Sequence, residues 1–429
     1  MVTRKKRRIA KVPEQPSGTL DLQIPPEKAE PASIGNVLMM VIPMLGSTGV
    51  MIFMALQQQQ QQSNPRMLLM GGGMLVAMLG MVGFNMYRQF SQYRTRVVTQ
   101  RREYLSYLAE TREAVRKVAK KQRAYYNWVY PDPDALVTLA ANGSRLWSRE
   151  GNTYDLLAFR YGSGTQPLGL TFNRPPIDPM TEMDVVCLSA MDRFIGVHDH
   201  TDNVGMFLYL GDFSHIEVAG EGESVYDEMR AIMMHLACFF EPSKLKIAVL
   251  CSADRLGDWE WVKWMPQARS SLVRDAVGPG RMISTDPAEL AEMIGPEIPM
   301  RGPFRFTDDM PEWPHLLLVC DGAEFPSSSP LASPSGVRGV TIMSRAREWT
   351  PMTSHTTLRL VIHPSADRNG SDVVDVVTMD SVPESAHADR LSAVQAEAIA
   401  RRMTPFATQQ SLEEADTPVG RSDESRQKD

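Results

Sequence analysis

Two apolar stretches near the start of the chain constrain its fold more than any other feature. The stretches, Ile34 to Leu56 and Met67 to Tyr87, contain no charged residue, and a Gln-rich connection separates them. A helix rises about 1.5 Å per residue, so each stretch can cross the roughly 30 Å hydrocarbon core of a bilayer. A pair of buried core helices is the alternative, but cores seldom contain two such runs in succession. The pattern therefore predicts a transmembrane hairpin over 34–87.

Basic residues flank the hairpin at its two outer ends. They precede the first stretch at positions 4–8 and follow the second stretch at Arg88, Arg94, Arg96, Arg101 and Arg102. Because basic flanks are retained in the cytoplasm, both termini are predicted to be cytoplasmic, with membrane lipid around two spanning helices. The basic start lies too far before the apolar run for a signal peptide, and no small-residue cleavage pattern follows that run.

Composition limits what the rest of the chain can be. Its 429 residues leave room for one large or two medium domains, and the formal charge of -6 disfavours a nucleic-acid partner. The cysteines are widely separated and lack the paired spacing of a zinc site: Cys187, Cys238, Cys251 and Cys320. They are predicted to be reduced, buried thiols, and neither a metal nor a cofactor is expected.

The segments around the hairpin are predicted to be a cytoplasmic N-terminal segment (1–33), a stalk (88–150) and a disordered tail (407–429). Apolar residues recur at near-heptad spacing from Phe90 to Val118, which predicts a long amphipathic helix leaving the membrane. This helix should end near Pro131, and a short helix should follow and stop at Gly143. Its basic face either attracts lipid headgroups or is simply solvated.

Between residues 151 and 406 the pattern changes to alternating strands and helices. Apolar strands such as Leu245 to Cys251 and His315 to Cys320 are separated by helices such as Glu223 to Phe240. Strands that are apolar throughout indicate a largely parallel sheet covered on both faces. The predicted fold class is therefore α/β, with two transmembrane helices, a long stalk helix and a degenerate domain of phosphate-loop type.

In such domains the loop from the first core strand into its helix binds phosphate. Here that loop is predicted to run from Glu217 to Ser224. Against the pattern GxxxxGK[ST] it keeps Gly222 and Ser224, but Glu217 replaces the first glycine and Glu223 replaces the lysine. A carboxylate at the lysine position repels phosphate, and Glu221 adds to the repulsion. We therefore predict that this loop does not bind nucleotide, and we assign no catalytic residue.

Three other features have alternative interpretations. Asp321 follows an apolar strand, as a Walker B acid does, but a single Asp at a strand end is more often a turn residue. His198, His200 and Asp202 have metal-ligand side chains, although a polar turn is the favoured interpretation. The three tryptophans between 258 and 266 form either an interaction surface or a buried corner against the sheet.

Several strings of residues occur in order from residue 18 to residue 406. They are Gly18-x-x-x-Leu-x-x-Pro-Pro26, Arg102-Glu-Tyr-Leu-x-Tyr-Leu108, Pro131-x-Pro133, Trp147-Ser-Arg149, Asp155-Leu-Leu-Ala-Phe-Arg-Tyr-Gly-Ser-Gly164, Asp258-Trp-Glu-Trp-Val-Lys-Trp-Met-Pro266, Gly336-Val-Arg-Gly-Val-Thr341 and Ala400-Arg-Arg-Met403. Together they resemble the N-terminal part of EccC, the FtsK/SpoIIIE-type ATPase subunit of type VII (ESX) secretion systems. Gln267 is a departure, because the family tends to have His there.

The resemblance implies an inner (plasma) membrane protein of actinobacteria that assembles with EccB, EccD and EccE and serves the export of WXG100-type proteins. It also implies that ATP is hydrolysed in downstream domains or in a partner ATPase chain, so that this chain anchors and regulates and is not itself an enzyme. One alternative is a fragment of a catalytically active translocase ATPase. Another, from the fold alone, is a membrane-tethered sensor with a ligand at the sheet edge.

Overall fold

The computed structural model describes residues 12–30, single positions between 39 and 57, and residues 65–149, 157–306, 314–346, 350–365 and 370–415. Most of the first apolar stretch, most of the connection after it and the end of the predicted tail lie outside the described residues. Within the described part, no helix combines the length and the apolarity needed to cross a bilayer. The two membrane spans are therefore not confirmed and remain a prediction from the sequence.

The helices of the described residues are α1 (Pro65–Val129), α2 (Pro133–Asn142), α3 (Val185–His198), α4 (Ser224–Phe239), α5 (Leu256–Trp259), α6 (Pro287–Ile294) and α7 (Ala393–Ala415). As predicted, α1 ends just before Pro131, because proline cannot continue a helix. Asp132 caps α2 by accepting a hydrogen bond from the Asp134 N–H at 3.1 Å, and Gly143 ends it with φ 64°. α7 extends to Ala415, into the segment predicted as a tail, although it contains Pro405.

The strands are β1 (Gly18–Asp21), β2 (Ala158–Pro167), β3 (Leu170–Asn173), β4 (His200–Tyr209), β5 (His215–Gly220), β6 (Leu245–Cys251), β7 (Arg269–Arg274), β8 (Pro279–Arg281), β9 (Ile283–Ser284), β10 (His315–Asp321), β11 (Val340–Arg345), β12 (Thr357–His363), β13 (Val373–Val377) and β14 (Glu384–Ala388). The predicted apolar strands correspond to β6 and β10. The sequence pattern did not predict the helices α3 and α5, the strand β5, the short strands β7, β8 and β9, or the last three strands.

The chain forms two compact units. The helical unit contains the described residues within 16–120 and 168–200. In it β1 pairs in parallel with β3, and Asp184 caps α3 by accepting hydrogen bonds from the N–H groups of Val186 and Cys187. Arg101 of α1 forms an ion pair with the same carboxylate at 2.8 Å, and it lowers the pKa of Asp184 below its usual value. This unit therefore has its own capped helix and its own apolar core.

The sheet unit contains the described residues within 1–15, 121–167 and 201–429. Its ten-stranded sheet has the order β4-β2-β14-β13-β12-β5-β11-β10-β6-β9. From β12 to β9 neighbouring strands are parallel, whereas β12, β13, β14 and β2 pair antiparallel. The predicted largely parallel sheet is confirmed for its core, and an antiparallel extension carries it further on one side.

Helix α4 lies at the centre of the sheet unit. Every residue of α4 except Ser224 and Asp227 is buried. The helix packs on β2 and β5 on one side and against α2 and α7 on the other, so no face is left for solvent. Because α4 follows β5 directly, this packing fixes the start of the helix at the carboxyl edge of the parallel strands, where ligands bind in open α/β sheets.

Candidate functional site

The loop between β5 and α4 is shorter than predicted. β5 continues to Gly220, so Glu217 lies within the strand, where its carboxylate accepts hydrogen bonds from Arg359 of β12 at 2.5 and 2.8 Å. Only residues 221–223 remain as the loop, which corrects the predicted start at Glu217. Gly220 has φ 148°, and a Cβ there would lie 2.8 Å from the Ile362 carbonyl oxygen. The strand and the helix are therefore joined too tightly for an eight-residue phosphate loop.

Glu223, at the lysine position of the phosphate-loop pattern, faces an arginine of the same protein. Arg230 on α4 donates from Nη2 to Glu223 at 2.5 Å and to Asp227 at 2.7 Å, and from Nε to the Leu391 carbonyl at 2.8 Å. The Arg230 side chain is 4% exposed, whereas that of Glu223 is 69% exposed. Two carboxylates thus neutralise this arginine, and it is not available to a phosphate group.

Asp321, at the Walker B position, is the buried last residue of β10. Its carboxylate accepts three hydrogen bonds, from Arg255 Nε at 3.1 Å, Trp259 Nε1 at 2.9 Å and the Tyr226 hydroxyl at 3.4 Å. The Tyr226 hydroxyl in turn accepts a hydrogen bond from Arg345 at 3.1 Å. Asp321 is therefore not an exposed turn residue, and its oxygens are engaged where a magnesium ion or its water would need them.

Ser224, at the Ser/Thr position of the pattern, is also engaged. Its side chain hydrogen-bonds to Asp372, which is buried and also accepts hydrogen bonds from the Ser365 N–H and from Arg390. Burial by itself raises the pKa of Asp372, but the hydrogen bonds from Arg390 and Ser224 outweigh it and hold the pKa below its usual value. The hydroxyl that would bind magnesium in an intact phosphate loop is thus turned to an internal carboxylate.

Replacing Asp321 by asparagine is expected to destabilise the sheet unit by about 1–3 kcal/mol, because an amide N–H would face donors that now lose their acceptor. The five tryptophans that the structure describes (Trp128, Trp147, Trp259, Trp261 and Trp264) lie in the sheet unit, so tryptophan fluorescence during urea unfolding measures this loss. Asp258→Asn is the matched control, since Asp258 is 51% exposed and contacts the same Arg255. Its cost should stay below about 1 kcal/mol. Equal losses would contradict a buried structural role for Asp321.

The histidine-containing segment crosses a junction between two elements. His198 is the last residue of α3, and His200 begins β4, which also contains Asp202. The two imidazoles therefore do not share one strand. Across the described ranges, no group of three or more His, Cys, Asp or Glu side chains is arranged to hold a metal ion.

The tryptophan-rich segment forms a buried corner. Trp259 and Trp261 are buried, and they belong to the same apolar core as α4. Gln267, just after this segment, donates from Nε2 to the carbonyl oxygens of Ala237 and Phe240, both at 2.8 Å. These carbonyls are at the C-terminal end of α4, where carbonyl groups have no intrahelical partner and accept hydrogen bonds from side chains. The glutamine therefore has a clear structural role at the position where the resemblance expects His.

Sequence reasoning missed the side chains that contact Glu223, Ser224 and Asp321. Arg230 had a usable signal, because it follows Asp227 by three residues and Glu223 by seven, which is helical spacing. Arg255 and Asp372 had none, since they come from distant parts of the chain. Only the sheet order brings them to the same edge.

The fold and this edge of the sheet define an α/β protein with a parallel core sheet, in which internal hydrogen bonds and ion pairs occupy the phosphate-loop position.

No protein-family model matches the sequence. The chain is 32% identical to the ESX secretion system protein EccC of Thermomonospora curvata over 95% of its own length and 30% of that protein. It is 30% identical to the ESX-3 protein EccC3 of Mycobacterium tuberculosis over 79% of its length and 25% of that protein.

The chain belongs to the EccC family of ESX secretion systems, as the resemblance predicted. It spans about 30% of the length of the first of these relatives. A solved structure of Thermomonospora curvata EccC, containing ATPases 2 and 3 with a signal sequence peptide, aligns with a TM-score of 0.36 and 13% identity. That alignment covers 61% of this chain and 48% of the other.

Proposed function

We propose that this chain is the anchoring, structural and regulatory part of an ESX secretion ATPase subunit and that its own sheet does not hydrolyse ATP. One observation carries the proposal: each position that handles nucleotide in a phosphate-loop domain is engaged inside this protein. Glu223 pairs with Arg230, Ser224 bonds to Asp372, and Asp321 accepts from three donors. Hydrolysis then falls to other domains of the subunit or to a partner ATPase chain.

The physical reason is electrostatic as well as geometric. Phosphate loops bind the β and γ phosphates through backbone N–H groups and one ammonium group. At this loop Glu221 and Glu223 are both exposed, so an approaching triphosphate meets two carboxylates instead of an ammonium. Arg230 cannot compensate, because two carboxylates already neutralise it. These features argue against nucleotide hydrolysis at this loop.

We expect no saturable, magnesium-dependent binding of ATP to the purified chain of residues 1–429 at concentrations up to about 1 mM, measured by isothermal titration calorimetry. An ATPase with an intact phosphate loop serves as the positive control. Glu223→Lys restores the lysine of the pattern but leaves Ser224 and Asp321 engaged, so it should not bind ATP either. Micromolar binding by the wild-type chain would overturn the proposal and favour the alternative of an active translocase ATPase.

We propose further that 34–87 anchors the chain in the plasma membrane with both termini in the cytoplasm, and that EccB, EccD and EccE surround it while WXG100-type proteins are exported. The two uncharged stretches and their basic flanks support the anchor, and family membership supports the partners. Alkaline carbonate extraction should leave the chain in the membrane pellet, whereas a variant lacking 34–87 should be released. Release of the unaltered chain would contradict two membrane spans.

A further inference from the structure

The β-hairpin of β7 and β8 presents an apolar side chain at its tip. The two strands form a two-stranded sheet of their own within the sheet unit, and the turn 275–278 joins them. In this turn the Asp275 carboxylate accepts hydrogen bonds from the N–H groups of Val277 and Gly278 at 2.7 and 2.8 Å. Val277 is 92% exposed. The hairpin therefore holds one apolar side chain in solvent on an ordered turn.

An apolar pocket of about 330 Å³ lies in the same unit. Its walls come from the end of α6 and from residues of two short turns, Ile298–Met300 and Pro330–Ala332. The buried side chains of Ile294 and Leu331 belong to its lining. Concave apolar sites of this kind bind apolar side chains of other molecules.

The pocket and the hairpin are neighbours. Ser270 of β7 donates a hydrogen bond to the Met293 carbonyl of α6 at 2.6 Å, and a Cβ on Gly295 in the pocket wall would lie 2.8 Å from Leu272 Cδ1. Leu272 itself is 55% exposed. From there the strand extends away at about 3.3 Å per residue, which holds the tip outside the pocket of its own chain. The apolar surface thus runs from the pocket past Leu272 toward the tip.

The tip and the pocket are complementary in size and charge. Ala276 and Gly278 beside Val277 are small, so the valine projects alone, and the pocket has room for it and for part of the turn. Arg274, just before the turn, is exposed, and so is Glu292 in the pocket lining. Each copy of the protein has both features, so two copies can exchange their tips in one self-complementary contact.

We propose that the hairpin tip of one copy of this chain binds in the apolar pocket of a second copy, with Val277 as the anchor and Arg274 paired with Glu292. Leu272 lies between the two contacts that an exchange of tips would form. The proposal does not depend on how the loop at Glu223 functions, so its test and the ATP-binding measurement can fail separately.

Cysteine cross-linking between two differently tagged preparations of the chain of residues 1–429 in detergent tests the contact. Val277→Cys chains are mixed with Ala291→Cys chains, since Ala291 lines the pocket, and a short bis-maleimide is added. A cross-linked heterodimer is expected. Val382→Cys mixed with Ala291→Cys is the matched control, because Val382 is an 83% exposed valine of the same unit. Equal yields in the two mixtures would overturn the proposal, as they would if the pocket served another protein.

A charge exchange tests the predicted ion pair. Arg274→Glu added to the Val277→Cys chain, or Glu292→Arg added to the Ala291→Cys chain, should lower the cross-linking rate roughly three- to tenfold, because each places like charges together. Both changes together restore opposite charges and should recover most of the rate. Arg338→Glu, at an exposed position elsewhere in the unit, should leave the rate unchanged. Failure of the paired exchange to recover the rate would show that Arg274 does not meet Glu292 and would contradict the proposal.

Discussion

Replacing Arg160 by methionine is expected to lower the free energy of unfolding of the sheet unit by about 3–5 kcal/mol. Arg160 donates to the Asp389 carboxylate from Nε at 2.8 Å and from Nη2 at 3.0 Å, and from Nη1 to the Tyr130 carbonyl at 3.0 Å. The side chains of Arg160 and Asp389 are only 4% and 5% exposed. Without the guanidinium, a carboxylate stays buried with no counter-ion, and a carbonyl loses its donor.

Arg338→Met provides the matched control for this measurement, because Arg338 is exposed and lies in the same unit. Its effect on urea unfolding, followed by tryptophan fluorescence, should stay within about 0.5 kcal/mol. A double variant, Arg160→Met with Asp389→Leu, should recover a large part of the loss, since removing both charges leaves no buried charge without a counter-ion. Equal losses in Arg160→Met and Arg338→Met would contradict a structural role for this ion pair.

The parallel core of the sheet was predictable from the sequence. Strands β6 and β10 are covered on both faces, so every residue can be apolar, and such runs need no periodicity to be recognised. Helix α4 was predictable for a related reason, because its apolar residues continue over four turns between two clear breaks. These elements are recognisable because they are buried, and a buried element appears in the sequence as a continuous run of apolar residues.

The antiparallel extension could not be predicted in the same way. β14 reads Glu-Ser-Ala-His-Ala, which has no apolar alternation, and it is a strand because β13 pairs with it along one edge. β12 contains Arg359, whose charge argues against a core strand until Glu217 on β5 is placed beside it. Such strands are stabilised by cross-strand partners that sequence spacing does not reveal.

The candidate site was predictable at one position. Glu223 alone indicates weak phosphate affinity, since the side chain at that position carries the wrong charge. The contacts that occupy the phosphate-loop position were not predictable, because they join residues far apart in the sequence. Arg255 and Asp321 are 66 positions apart, and Arg230 and Leu391 are 161 positions apart. Their meeting depends on the strand order and not on any local pattern.

Replacing Glu228 by glutamine is expected to flatten the pH dependence of stability. Glu228 is fully buried on α4, and burial raises its pKa well above the ordinary 4.5, with the Asp389 carboxylate adding to the rise and Arg160 opposing it. Because the folded state keeps this proton where the unfolded state has lost it, the free energy of unfolding falls as pH rises from about 4.5 toward the folded pKa. In this pH range the free energy of unfolding falls by up to about 1.4 kcal/mol for each pH unit.

Glutamine has the same shape but no proton to lose, so Glu228→Gln should remove this contribution. The difference in the free energy of unfolding between Glu228→Gln and the wild-type chain should grow in favour of the variant as pH rises. Urea unfolding curves recorded at pH 5, 6, 7 and 8 measure this difference. Glu324→Gln, at an exposed position, should retain the wild-type slope. Parallel stability curves for Glu228→Gln and the wild-type chain would mean that Glu228 is ionised in the folded protein. In that case Arg160 would have to neutralise two carboxylates, and the loss expected for Arg160→Met would be larger than the value given for one buried pair.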